Sequence, residues 1–133
     1  MMRKIVLTVI ILFSIIVFAS CNGKKENQSQ EIKEEISYNF EMILEVAPVM
    51  SSNPYDYTKN EYYKNVVEIG PDAVPVLKEM FDNKEITGVL AYVSALAVQD
   101  ITGCNLYKDH NLDWSTAEEF YELWEENNCF YHK

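Results

Sequence analysis

Apolar residues recur along this chain at the spacing of helices, and no stretch alternates as a half-buried strand would. After an apolar run at Ile5–Phe18, residues 31–47 place Ile32, Ile36, Phe40, Ile43, Leu44 and Ala47 on one helical face, with Pro48 as a stop. Residues 49–59 read as a loop, with Ser51-Ser52-Asn53-Pro54 as turn chemistry. A second helix is predicted over 61–69, capped by Asn60, with Tyr62, Val66 and Ile69 inward and Gly70 at its end. A third opens at Pro71 and buries Val74, Leu77, Met80 and Phe81. The stretch 86–101 is apolar on most sides, which predicts a central helix closed by Gly103. A last helix is expected from Ser115, with Ser115 and Glu118 as a capping box, Phe120, Leu123 and Trp124 inward, and Glu119, Glu122, Glu125 and Glu126 in water. The expected fold is all-α, with about five helices.

The apolar run is preceded by Arg3 and Lys4 and is roughly 14 residues long, against the roughly 20 that a spanning helix needs. It ends at Phe18-Ala19-Ser20-Cys21, which resembles a bacterial lipobox, with Phe18 where Leu is commoner. The resemblance implies a signal peptide over 1–20 and a diacylglyceryl thioether on Cys21, whose thiolate is the nucleophile. It also implies a protein anchored outside the cytoplasmic membrane by lipid chains, each buried methylene contributing about 0.8 kcal/mol. Residues 22–30 (NGKKENQSQ) hold no apolar side chain, so residues 21–30 are expected as lipidated cysteine and disordered tether, and 31–133 as the domain.

Residues 69–103 carry a second resemblance. Ile69-Gly70-Pro71-Asp72-Ala73-Val74-Pro75-Val76-Leu77, then Met80-Phe81-Asp82-Asn83, then Ala95-Leu96 and Ile101-Thr102-Gly103 look like one HEAT-type repeat. Gly88-Val89 stand where that family often places an arginine. The resemblance implies small antiparallel helical hairpins, and a lone repeat needs its flanking helices to complete a core.

Charge narrows the function classes. Eleven basic residues against 21 acidic ones give −10, and removal of Arg3 and Lys4 with the leader takes the remainder to −12. Nucleic acid is excluded as a partner, because its recognition needs clustered Lys and Arg. A basic protein partner fits. With Cys21 assigned to lipid, Cys104 and Cys129 remain, either as a disulfide or as two buried thiols.

A catalytic set is missing from the sequence: there is no HExxH, CxxC, GxSxG or phosphate loop. Cys104 with His110 lacks an orienting group, and His132 is penultimate. Asp109-His110-Asn111-Leu112-Asp113 begins like a calcium loop, but Trp114 and Phe120 stand where that loop needs Gly and Glu. The reading is therefore not an enzyme, with no cofactor and no metal. Tyr55, Tyr57, Tyr62 and Tyr63, with Tyr38 before them, form the candidate binding surface, or else pin the loop to the core. The expected function is a membrane-anchored protein-interaction module, an envelope scaffold or immunity-type binder. A solute- or glycan-binding lipoprotein is the alternative, and a small envelope enzyme the second alternative.

Overall fold

The computed structural model describes residues 2–48 and 51–129, with side chains described from Gly23 onward. Cys21's side chain and His132 lie outside the described residues, as do Val49 and Met50 of the expected loop. Among the described residues there are six α-helices, two short 3-10 turns and no strand. The helices are α1 (Met2–Val46), α2 (Glu61–Ile69), α3 (Ala73–Asp82), α4 (Val89–Thr102), α5 (Leu106–His110) and α6 (Ala117–Glu126). The chain forms two compact units, Met1–Glu31 and Ile32–Lys133. Among the described residues no helix is long and apolar enough to cross a membrane.

In the first unit, residues 23–31 are almost wholly exposed along α1. The stretch 22–30 is helical here, where its polarity predicts a disordered tether. It contains no proline, and its Lys, Glu and Gln residues are good helix formers.

The second unit is built around α4. Its Ala91 and the whole run Val93–Val98 are buried, and it packs against α2, α3, α6 and the 3-10 turn at Pro54–Thr58. Small residues (Ala91, Ala95, Ala97) let neighbouring helices approach it closely. Gly103 closes it in the left-handed region at φ 70°, donating its N–H to the Gln99 carbonyl at 2.9 Å. The predicted start at Ile86 is three residues early. Gly88, at φ 59°, turns the chain, and Ile86 is buried from the preceding turn, its N–H donated to the Met80 carbonyl.

On α1, Ile36, Phe40 and Ile43 are buried as predicted, but Leu44 is 48% exposed. One residue past Ile43 is a rotation of about 100°, which carries Leu44 off the buried arc. Asn39 is buried on that arc instead. Its Nδ2 donates to the Glu35 carbonyl at 2.9 Å, and its Oδ1 accepts from Asn65 Nδ2 at 3.1 Å, so its polar atoms are satisfied where α1 meets α2.

Helix α2 has its predicted bounds, and Asn60 Oδ1 accepts the Tyr63 N–H at 2.9 Å. Pro71 lies in a 3-10 turn, Gly70–Asp72, and α3 follows from Ala73. Pro75 falls in the first turn of α3, where a missing N–H breaks no helical bond. The capping box of α6 is one residue later than predicted. Thr116 Oγ1 accepts the Glu119 N–H, and Glu119 Oε2 accepts from Thr116 N at 3.2 Å and Ser115 N at 2.7 Å. Both registers satisfy the S/T-x-x-E pattern. The burial of Ala117, Phe120, Tyr121 and Trp124 selects the second.

Candidate functional site

A chain of aromatic rings runs from the surface into the core. Tyr55, in the 3-10 turn that packs on α4, is 53% exposed, and its phenol is close enough to that of Tyr92 on α4 to act on its ionisation. Tyr92 is half-buried and stacks at a tilt on Trp114, ring centroids 4.6 Å apart. Trp114 in turn lies 4.9 Å from Phe120, which is fully buried on α6. Phe120 meets Tyr121 edge-on at 5.4 Å, and Tyr121 stacks on Phe81 at 4.5 Å. The exposed members therefore rest on buried ones, which fixes their planes without solvent-facing supports.

Local chemistry sets each end of the row. Asn53 Oδ1 accepts the Tyr55 N–H, and Asp56 is held by Ser51 Oγ at 2.7 Å and by Lys59 Nζ at 2.8 Å. The Lys59 ammonium and the Ser51 hydroxyl hold the Asp56 carboxyl below its ordinary range. Asp113 Oδ1 accepts the Trp114 N–H at 3.1 Å just before α6. Partial burial pushes the Tyr92 phenol up, with Tyr55 and the Asp113 charge adding to the effect.

The four tyrosines singled out in the sequence take different places. Tyr55 is the exposed one. Tyr57 donates its hydroxyl to the Ser51 carbonyl at 3.1 Å, a loop-pinning role. Tyr62 is half-buried and edge-on to Tyr38, centroids 6.5 Å apart, so these two make a separate small patch. Tyr63 is only 5% exposed and donates to Asp100 Oδ2 at 2.6 Å, tying α2 to α4 and leaving no ring to present. Burial and the Asp100 carboxylate both push its phenol up, so it is neutral throughout the physiological range. Burial does the same for Tyr121, against the hydrogen bond it shares with Ser94, whose Oγ lies 3.0 Å from its hydroxyl.

Tyr92 and Trp114 are the functional candidates that the sequence reading does not name. The available signal is that Tyr92 is the only aromatic residue in α4, otherwise rich in Ala, Val and Leu. A bulky polar-tipped ring in such a helix marks its one face toward solvent.

The remaining motifs resolve locally. Asp109 Oδ2 accepts the Asn105 N–H at 2.7 Å within α5, and Asn111 takes the left-handed cap position at φ 55°. Asp109 and Asp113 therefore each serve the local backbone. Cys104 and Cys129 are joined as a disulfide, Cα atoms 5.7 Å apart, and both are fully buried. His110 Nε2 stands 3.5 Å from Cys129 Sγ. On α6, Glu118, Glu122 and Glu126 face water, while Glu125 reaches Lys78 Nζ at 3.3 Å. Such exposed pairs contribute little to stability.

In comparisons with known proteins, no family model, no curated protein and no solved structure matches this chain.

Proposed function

We propose that this protein is a lipid-anchored, non-catalytic interaction module of the bacterial envelope, which uses the row Tyr55–Tyr92–Trp114 to hold a protein partner. The row itself carries the proposal: partly exposed aromatic rings with polar tips, backed by buried rings, bury area at little cost in side-chain entropy. The lipobox-like Phe18-Ala19-Ser20-Cys21 supports the anchor, and the surplus of acids supports a basic partner. The packing of α3 against α4, over the segment that resembles a HEAT-type repeat, agrees with a scaffold role.

Two experiments test the two halves. With the anchor on Cys21, a Cys21→Ser variant moves from the membrane fraction to the soluble fraction and loses labelled palmitate; unchanged fractionation would remove the lipid anchor from the proposal. For the partner, residues 22–133 tethered by the N-terminus serve as bait for envelope and culture-fluid extracts. The expected result is one protein in stoichiometric, salt-sensitive amounts. A Tyr55→Ala bait should hold it about tenfold less tightly, the size of a modest interface hot spot. Recovery of no protein, or retention that ignores Tyr55→Ala and Tyr92→Ala alike, refutes the module as stated.

A glycan is the second reading, favoured by the tilted Tyr92–Trp114 pair with the Asp113 carboxylate beside it. Retention of the bait on an oligosaccharide array, again lost in Tyr55→Ala, would select it.

A further inference from the structure

Among the described residues, one group of His, Cys, Asp and Glu side chains is close enough to share a metal ion: Cys104, His110 and Cys129, with ligand atoms all within 4.8 Å of one another. The three come from separate places in the sequence, and each is fixed by its own backbone. Cys104 follows the left-handed cap of α4 and donates its N–H to Thr102 Oγ1 at 3.3 Å. His110 ends α5, a turn clamped by Asn105 at one end and by the left-handed Asn111 at the other. Cys129 lies just past α6, its N–H donated to the Trp124 carbonyl at 3.1 Å.

We propose that the Cys104–Cys129 bridge is reversible, and that its reduced form, together with His110 Nε2, binds one thiophilic d10 cation of the Zn2+ class. The spacing of His110 is the observation that points to an ion. Its Nε2 is 3.5 Å from Cys129 Sγ. Sulfur and nitrogen ligands of one tetrahedral Zn2+, at about 2.3 Å and about 2.0–2.1 Å, stand about 3.6 Å apart. A disulfide needs no imidazole beside it, whereas a Cys2His set supplies three ligands and leaves one position for water. Half-buried His110 gives the ion its approach to two otherwise enclosed sulfurs.

The chemistry balances with a dithiol as reductant. One thiolate of the dithiol attacks a sulfur of the bridge and releases the other as a thiolate. The second thiolate of the dithiol then attacks its own sulfur in the mixed disulfide and displaces the remaining protein thiolate. Two electrons and two protons pass to the protein, which then carries two thiols, and the reductant leaves as its own disulfide. Binding of Zn2+ displaces both thiol protons and leaves two thiolates and a neutral imidazole on the ion. The redox poise of the compartment selects between bridge and ion site.

The test uses the full chain in mild detergent, with Zn2+ alone as the probe and a chromophoric chelator as competitor under anaerobic conditions. The chain reduced by a dithiol, then freed of it, should bind one Zn2+, and the bridged chain none. His110→Ala should weaken binding more than about 100-fold, since losing a residue that merely orients a ligand costs about 10–100-fold. Cys104→Ala/Cys129→Ala should abolish it, and because that variant keeps Cys21, an ion held there would be exposed as such. Equal Zn2+ binding by bridged and reduced chains, no binding by the reduced chain, or an unchanged affinity in His110→Ala overturns the proposal. If reduction unfolds the domain, circular dichroism decides: Zn2+ restoring the helical signal supports the site, and a signal indifferent to Zn2+ overturns it.

Discussion

Phe40→Ala is expected to lower the unfolding free energy by about 3–5 kcal/mol, the cost of emptying a phenylalanine site in a packed core. Phe40 is 2% exposed on α1 and lies with Ile36 and Ile43 in the same buried cluster as the α4 residues. A domain of this size has only about 5–15 kcal/mol of net stability, so the loss is a large fraction of the whole. The matched control is Tyr38→Ala, two residues away and 59% exposed, which should change stability by no more than about 0.5 kcal/mol. Urea denaturation followed by circular dichroism separates the two. Equal midpoints for both variants would mean that this part of α1 is not a structural member of the domain. The large gap is expected because Phe40 is enclosed in the buried cluster while Tyr38 is mostly exposed.

Removal of the bridge should have the second-largest effect. Cys104→Ala/Cys129→Ala, measured in chelator to keep metal out, should lose about 3.5 kcal/mol, the loop-closure entropy for a separation of 25 residues. The bridge joins the end of α4 to the end of α6, so the unfolded chain regains most freedom in the segment that holds α5. The wild-type chain treated with a dithiol should fall to a similar midpoint in chelator, and Zn2+ should recover part of the loss. A double variant as stable as the bridged wild type would show that the bridge contributes nothing to the fold.

Much of this architecture is legible along the chain, for reasons that stay local. Asn60 and Gly70 bound α2 because a side-chain cap and a positive-φ terminus act within one turn of helix. Gly103 ends α4 for the same reason. Register and exposure are less legible. Ser115 and Thr116 offer the same hydroxyl, with Glu118 and Glu119 in matching positions, and only the burial of Phe120, Tyr121 and Trp124 chooses between them. Leu44 looks like a core residue in any helical wheel, yet the arc that α1 buries is narrower than its apolar stripe. The five-residue helix α5 escapes a periodicity argument because it is too short to show a period. Tyr63, grouped with its neighbours as surface by sequence, is buried because α4 supplies Asp100 for its hydroxyl.

The sequence by itself determined that this protein is all-helical, strongly acidic and poor in catalytic motifs. Helix periodicity, capping and charge are properties of residues a few positions apart. Only the tertiary structure decided which side chains become neighbours across the chain. Tyr55, Tyr92 and Trp114 come from a turn, a helix and a loop, and become one row because α4 packs against both flanks. Cys104, His110 and Cys129 likewise converge because two helix ends and one short helix meet. No spacing rule encodes such meetings. They follow from the packing of large apolar faces, which brings together residues that the sequence keeps far apart.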